Sequence, residues 1–539
     1  MVNSAGQGAG TAHPGHIRDV SVVLRVSDHA ATLEACLGSL AQQSLGAERI
    51  EVIAIDDGST DDSGPLLARA ARTHRGMLRT GQQQHGLGPA AARNLGLSQA
   101  AGRYVIFLEA ADRLAPDALA RMVAAADRSE ADVVLGKLES TGRHSVATSM
   151  FRANQDYTDL YGSRVYWSLT PDKLFRMSLL QRRGLQFPTD LHIGDDQVFT
   201  AQALTAADNI AVVADRTCVF KGPSGAAAVT LTERVALAAR MMALVTTLVP
   251  AGPQRDRLLS RHLESELGKP TGALLLASDN PAEQERAMWA ASDVLHAHLT
   301  AGALALLPRP VAVRMALLSA GRFAEARRMA EYEAQKGQPA PKKTIENGRV
   351  FTALPFFRDP QTALPDELFD ITDRMTVTHQ LTRLEWTKSI LGIDGTAFFE
   401  QLSTRDRATK VVLRERLSGA EERFSVTARR DEKLVNAKGK PRAMGRFSAR
   451  VNLRQTSSGR PLGPGIWDLW LSVSFEGVTR EVRLGRRRSD DVDVTSRPPV
   501  VIAPSPRSAD HHLVAVPFCT PQGDISLQIS EQLPLPVAR

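Results

Sequence analysis

"IEVIAIDDGSTDDS" spans Ile50 to Ser63, and its reading decides how the chain begins to fold. The first six residues are mostly apolar and β-branched, the pattern of a buried strand. Asp56 to Asp62 are turn formers, and a helical pattern begins near Pro65. Strand, polar turn and helix make one βα unit. The unit recurs on both sides. "DVSVVLRV" (19–26) is a strand; Ser27 or Asp28 can cap the next helix, where Leu33, Cys36, Leu37 and Leu40 keep helical spacing. "GPAAARNLGLSQAA" (88–101) is a helix, "RYVIFL" (103–108) a strand, "PDALARMVAAA" (116–126) a helix and "DVVLG" (132–136) a strand. Repeated βα units predict a mainly parallel sheet with helices on both faces, and ligands in such sheets lie outside the carboxyl ends of the strands. Two polar turns, Asp56 to Asp62 and Glu109 to Asp112, lie at two such ends.

Further along the pattern changes twice. From about 231 to 335, "TERVALAARMMALVTTL", "NPAEQERAMWAASDVLHAHL" and "PVAVRMALLSAGRFAEARRMAEYEAQ" read as amphipathic helices. From about 345, alternation takes over. Phe447, Ala449, Val451 and Leu453 alternate with polar residues, as do Trp467, Leu469, Leu471, Val473 and Phe475, then Val482 and Leu484. This predicts an antiparallel sandwich with one face of each sheet buried. Trp467 and Trp470 fall on opposite faces, so the outer ring needs a partner or stays exposed, and the segment from about 345 to 539 is expected to self-associate. These regimes divide the chain into a disordered leader over 1–18, an α/β domain over 19–225, a helical linker over 226–344, a β-sandwich over 345–495, and a Pro-rich stretch with a terminal β segment over 496–539.

Composition narrows the function classes. At 539 residues the chain is too long for one hydrophobic core. Cys36, Cys218 and Cys519 lie far apart, which argues against a disulfide framework and a zinc site. The first residues lack the apolar segment of a secretory signal, and no apolar run is long enough to span a bilayer. The expected location is the cytoplasm, with a peripheral position at the inner face of the membrane. A formal charge of +7 suits a polyanionic partner without choosing one. No GxGxxG or Walker loop follows the first strand, which disfavours a dinucleotide site and a P-loop NTPase.

The acidic clusters carry the candidate chemistry. Asp57, just after a strand, can accept the N3–H of a uracil ring, or it can serve an Asx turn. The helix start at "HGLGPAAARNLG" can face a phosphate, with Arg93 adding a charge-assisted hydrogen bond, or stand as an ordinary solvated helix. Asp195 and Asp196 in "LHIGDDQVF" can cap a helix, or one can act as general base on an alcohol. Glu109 and Asp112 in "FLEAADRL" sit where an acidic pair could hold a metal on a phosphate.

Taken in order, "VSVVLRVSD", "IEVIAIDDGSTDDS", "GLGPAAARNLGL", "GRYVIFLEAADRLAPDAL", "DVVLGK", "PDKLFRMSLLQRRGLQFP" and "IGDDQVF" resemble family 2 glycosyltransferases of GT-A fold over about residues 19 to 220. The stretch from about 231 to 490 resembles the C-terminal half of the wall-teichoic-acid β-glycosyltransferases. The resemblance implies a Rossmann-like mixed sheet, then a helical linker and an immunoglobulin-like β-sandwich. It implies an inverting enzyme that moves a sugar, N-acetylglucosamine, from a UDP-sugar donor to a hydroxyl of a polyol-phosphate or polysaccharide acceptor, not nucleic acid. It implies a homo-oligomer, a trimer, built through the β module. By the same resemblance Asp196 is the catalytic base and Asp195 orients it. Asp57, Arg93, Val26 and Asp28 hold the nucleotide, and Glu109 and Asp112 hold Mn²⁺ or Mg²⁺. Two positions depart from the family. The first strand ends Arg25, Val26, Ser27, Asp28 where Pro, an aromatic and Asn are usual. The acidic motif, commonly Asp-x-Asp-Asp, reads Glu109, Ala110, Ala111, Asp112, so Ala111 replaces the usual metal ligand. A competing expectation follows: a degenerate scaffold that binds nucleotide sugar or polymer and serves a partner transferase.

Overall fold

The computed structural model describes residues 18–84, 87–142, 146–223, 229–276, 281–337, 339–402, 408–436, 439, 441–442, 444–494, 499–505 and 511–533. It forms two compact units, Met1–Gln335 and Lys336–Arg539. The expected leader lies, Arg18 apart, outside the described residues.

The first unit is built on β1 (Val20–Val26), β2 (Ile50–Asp56), β3 (Leu78–Gln82), β4 (Tyr104–Glu109), β5 (Arg113–Leu114), β6 (Val133–Ser140), β7 (Leu174–Arg176) and β8 (Ile210–Lys221). They form one sheet in the order β3-β2-β1-β4-β7-β6-β8-β5. β1, β2, β3 and β4 run parallel, as the βα repeat predicts. The sheet as a whole is mixed, because the short β7 enters antiparallel between β4 and β6. β2 is buried along its whole length, which accounts for the apolar run from Val52 to Ile55.

Helices α1 (Ala30–Ala41), α2 (Ser63–Thr73), α3 (Gly88–Ser98), α4 (Ala118–Ser129), α5 (Met177–Arg183) and α6 (Asp195–Ala206) connect these strands. In α1, Leu33, Cys36, Leu37 and Leu40 are buried, the face their spacing required. Phe107, Phe175, Phe187 and Phe199 form an aromatic knot between β4, β7 and α6, with Phe187 and Phe199 stacked at 4.0 Å. The knot holds the first turn of α6 near the end of β4.

The expected helical linker packs into this first unit. It comprises α7 (Leu231–Leu248), α8 (Pro253–His262), a π turn over Leu263–Gly268, and α9 (Lys269–Leu276) to α13 (Phe323–Ala334) by way of α10 (Pro281–His298), α11 (Ala301–Leu306) and α12 (Arg309–Ser319). A capping box of Thr230 and Glu233 starts α7. Among the described residues, no helix is long and apolar enough to cross a membrane.

The second unit starts with a hairpin, β9 (Lys343–Glu346) to β10 (Arg349–Thr352), turned by Asn347 and Gly348, both at positive φ. The rest is antiparallel: β11 (Val377–Thr387), β12 (Ile390–Phe399), β13 (Ala408–Glu415), β14 (Glu421–Arg429), β15 (Arg446–Asn452), β16 (Gly465–Phe475), β17 (Val478–Arg483), β18 (Val500–Pro504), β19 (His512–Cys519) and β20 (Ile525–Gln532). Phe447, Ala449, Val451, Trp467, Leu469, Leu471 and Val473 are buried in one core, as their alternation predicted. Two expectations are corrected. The segment after 495 is no separate appendage: β20 pairs with β16, so its apolar strands complete the same sheet and core. Trp470, on the opposite face from Trp467, does not present a bare ring. The guanidinium groups of Arg414 and Arg483 lie 4.8 and 5.3 Å from its centre. Its position therefore gives no argument for a partner subunit.

Candidate active site

β1 is flanked by β2 on one side and β4 on the other, so the chain reverses its direction of winding there. Such a switch point opens a crevice beyond the carboxyl ends of the strands. Arg25 in β1 and Glu109 in β4 are register partners, and their side chains pair at 2.9 Å. The Arg25 guanidinium also donates to Asp57 at 2.8 Å. Arg93, from α3, donates to the other oxygen of Glu109 at 2.7 Å and to Asp195 at the start of α6. Glu109 is thus gripped by two arginines. Burial alone would raise its pKa, but Arg93 and Arg25 together hold it below the ordinary carboxylate range.

The turn after Glu109 carries Asp112 to the end of β8. There the Lys221 ammonium donates to Asp112 at 2.6 Å and lies 3.1 Å from Asp172. The Gly222 N–H donates to the other oxygen of Asp112 at 3.2 Å. Only glycine fits at 222: a Cβ there would stand 2.0 Å from the Ala111 carbonyl oxygen. Lys173 is buried behind Asp172 and donates to Ser168 and the Thr170 carbonyl; burial pulls it down to about 8.

Asp195 and Asp196 begin α6. Gly194 precedes them with φ 80°, and a Cβ there would lie 2.3 Å from Leu237 of α7. That left-handed residue lets the helix start under the linker. Asp195 turns to Arg93, whereas Asp196 faces the cavity and, among the described residues, its carboxylate accepts only the Gln197 N–H, at 2.8 Å. Burial is the main cause that pushes Asp196 up to about 6; Arg93 opposes it and the neighbouring Asp195 adds to it. A half-buried carboxylate with a raised pKa, on the wall of a cleft, is suited to take a proton.

Arg25, Arg93, Glu109, Asp112, Asp196 and Lys221 line one cavity of about 1030 Å³, together with Asp28, His29, Trp167 and Gln197. Arg261 of α8 also lines it, fixed by Glu266 at 2.7 Å, while the adjacent His262 meets the Tyr166 hydroxyl at 3.0 Å. The linker helices therefore contribute to the wall.

Of the residues anticipated from sequence, Arg93, Glu109, Asp112, Asp196 and Asp28 lie on this cavity. Asp28 has a positive φ, and its carboxylate accepts from the Thr60 and Asp61 N–H groups. Asp195 stands behind, on Arg93. Asp57 and Val26 are not on the wall. Asp57 spends its oxygens on Arg25 and Gln83, and the Val26 carbonyl accepts the Asp57 N–H at 2.8 Å. Arg25, Asp172 and Arg261 were not singled out from sequence for these contacts. Asp172 lies inside the string "PDKLFRM", a signal left unassigned. Arg261 sits in a helix with no local signature.

Such a site, on a sheet of this order, defines a nucleotide-sugar transferase of GT-A type. Residues 21–186 match the Glycosyl transferase family 2 profile, 233–330 the Glycosyl transferase TarS linker domain, and 370–529 the TarS beta-glycosyltransferase C-terminal domain 1. The chain carries a family 2 glycosyltransferase domain followed by TarS-type linker and C-terminal domains. It is 25% identical over 479 residues to the poly(ribitol-phosphate) beta-glucosyltransferase of Bacillus spizizenii, covering 87% of this chain and 72% of that one. It is 30% identical over 196 residues to the poly(ribitol-phosphate) beta-N-acetylglucosaminyltransferase TarS of Staphylococcus aureus, about a third of either chain (36% and 34%). The crystal structure of S. aureus TarS shares the fold, with a TM-score of 0.57 at 21% identity over 95% of this chain and 85% of that one.

Enzymes of this family generally use a divalent cation. The residues present here do not fit one well. Both Glu109 oxygens are held by arginines, Asp112 is held by Lys221 and the Gly222 N–H, and Ala111 offers no ligand. Among the described residues, no three His, Cys, Asp or Glu side chains are grouped so as to hold a metal. The expectation that Glu109 and Asp112 jointly bind Mn²⁺ or Mg²⁺ runs against this geometry, because each carboxylate already faces its own cation.

Proposed function

We propose that the chain transfers a sugar from a UDP-sugar to a hydroxyl of a polyol-phosphate polymer of the cell wall, with inversion. The observation that carries this reading is Asp196, a half-buried carboxylate of raised pKa on the wall of a cavity that also presents Arg25, Arg93 and Lys221. In one displacement Asp196 takes the proton of the acceptor hydroxyl as its oxygen bonds to the anomeric carbon. The bond from that carbon to the phosphate oxygen breaks, and UDP leaves with the bonding electrons. Negative charge that develops on the diphosphate meets the basic side chains. Asp195 and Glu109 fix Arg93, and Asp57 fixes Arg25. Asp57 then acts on the nucleotide through Arg25, whereas Asp28 borders the donor directly.

The acceptor class is supported by the named relatives, which act on poly(ribitol phosphate), and by the net positive charge. The relatives divide between glucose and N-acetylglucosamine, and we take N-acetylglucosamine as the donor sugar. The same reading places the enzyme in the cytoplasm and makes it a homo-oligomer through its C-terminal unit; a monomer mass by light scattering would overturn the latter. The test of function is to incubate the full chain with poly(ribitol phosphate) and either UDP-N-acetylglucosamine or UDP-glucose, and weigh the product. We expect one sugar added per acceptor unit; no polymer product from either donor would reject the reading.

A further inference from the structure

We infer that Lys221 is the built-in cation of the diphosphate subsite, so that this transferase works without a divalent metal. The inference rests on the UDP-donor reading above and adds how the leaving group is stabilised. Three observations point to it.

First, the position that the acidic motif would use to ligate a metal is Ala111, and its carbonyl is packed on Gly222. Second, the place between the remaining carboxylates is filled. The Lys221 ammonium stands 2.6 Å from Asp112 and 3.1 Å from Asp172, a distance range suited to N⁺–H···O⁻ bonds. Two carboxylates, Asp112 and Asp172, stand against this one ammonium and compensate its charge. Third, Lys221, Asp112 and Asp172 all line the cavity. An ammonium has three N–H donors. One is donated to Asp112 and the charge rests against Asp172 as an ion pair, which leaves N–H for a phosphate oxygen. The charge is held before substrate arrives, and that preorganisation is what leaving-group stabilisation needs.

The two departures from the family motif then make one set. Glutamate at 109 is long enough to meet both Arg25 and Arg93, and Arg25 stands where the family has an uncharged strand end. These changes hold Arg25 and Arg93 at the crevice beside Lys221. As UDP departs, its oxygen gains the electron pair of the broken bond, and Lys221 answers with a hydrogen bond rather than a transferred proton.

The test is UDP binding to the full chain by calorimetry, in EDTA and in Mn²⁺, with Lys221→Gln and Lys221→Arg beside the native protein. Native affinity should be equal in both buffers. Lys221→Gln should lose roughly 10- to 100-fold in EDTA, the scale of one hydrogen bond to a charged group. Mn²⁺ should restore it, because removing the ammonium frees Asp112 and Asp172 as a two-carboxylate site. The same variant should bind Mn²⁺ without nucleotide, seen by electron paramagnetic resonance, and the native protein should not. Lys221→Arg should retain EDTA-resistant binding. Native binding that is lost in EDTA and returns with Mn²⁺ would overturn the inference alone, and it needs no variant to fold. No UDP binding in either buffer would overturn the donor reading and this inference with it. A Lys221→Gln protein that binds UDP normally in EDTA would also sink it.

Discussion

Inside the α/β unit, Arg93 bridges Glu109 and Asp195; on the outside of the β unit, Arg414 bridges Glu421 and Glu481. The two arrangements use the same chemistry, one guanidinium across two carboxylates. They differ in solvent. The Arg93 side chain is 10% exposed and its Asp195 partner 6%, against 30% for Arg414 and 23% for Glu481; Glu109, at 25%, is as wet as the outer carboxylates, so the contrast lies in the Arg93–Asp195 arm. In water an ion pair exchanges one set of good interactions for another and contributes little. Out of water each charge needs its partner, so loss of one leaves the others stranded. The inner cluster is therefore costly to disturb, and Asp196, with one backbone N–H on its carboxylate and burial around it, is tuned toward proton transfer.

The largest expected effect is on rate. Asp196→Asn should lower turnover by about a hundredfold to ten-thousandfold while UDP affinity stays near native, because a positioned base is lost and the nucleotide contacts remain. Product formation and UDP calorimetry on the same protein check this. Turnover within a factor of two of native would remove Asp196 from the role. In the native enzyme the rate should also fall as pH drops through about 6, when Asp196 takes up a proton before the acceptor can deliver one.

Next is stability of the inner cluster. Arg93→Met should cost about 3–5 kcal/mol, since Asp195 is left buried without its cation while Glu109 keeps only Arg25. Urea unfolding read on the first unit measures it; a cost under about 1 kcal/mol would mean that water reaches the cluster and that the contrast with Arg414 is false.

Asp196→Asn sharpens the comparison from the opposite side, because it should stabilise the fold. Asp196 titrates at about 6 in the folded chain, raised from an ordinary value of 3.8. A raised carboxyl favours folding while protonated, below about pH 4, and loses that contribution as pH rises through 6. At pH 7.5 the native protein carries the full cost, up to about 3 kcal/mol for a shift of this size. The variant should therefore be the more stable protein at pH 7.5, with the gap closing toward pH 4. Thermal melts at the two pH values decide it.

The smallest effect belongs to the outer pairs. Arg423, with 41% of its side chain exposed, sits against Glu421 and Glu481, and Arg423→Ala should cost less than about 1 kcal/mol. A loss above about 2 kcal/mol would show that the outer face is covered in the assembled protein and would favour the oligomer reading.

Much of this was legible along the chain. The βα repeat predicted the parallel half of the sheet, and alternation predicted the inward residues of β15 and β16. The acidic turns were correctly set at strand ends. Less was legible where partners come from afar. The string around Asp57 looked like a nucleotide contact, yet its carboxylate is consumed by Arg25 and Gln83. Trp470 looked like a docking ring, yet two arginines from β13 and β17 cover it. The terminal strands looked separate because the Pro-rich stretch interrupts the pattern, and pairing of β20 with β16 across some sixty residues is invisible to local spacing.

What the sequence determined by itself was the set of local periods: which segments bury one face, which turns are polar, and that Ala111 brings no carboxylate to its turn. What only the tertiary structure decided was which charge answers which. Arg25 meets Glu109 because parallel pairing of β1 and β4 sets them side by side. Lys221 meets Asp112, 109 residues earlier, because Gly222 lets the end of β8 lie against the Ala111 carbonyl. The physical reason is that a carboxylate's role depends on its distance to a cation and on the water left around it, and sheet register and burial, not neighbours in the chain, set both.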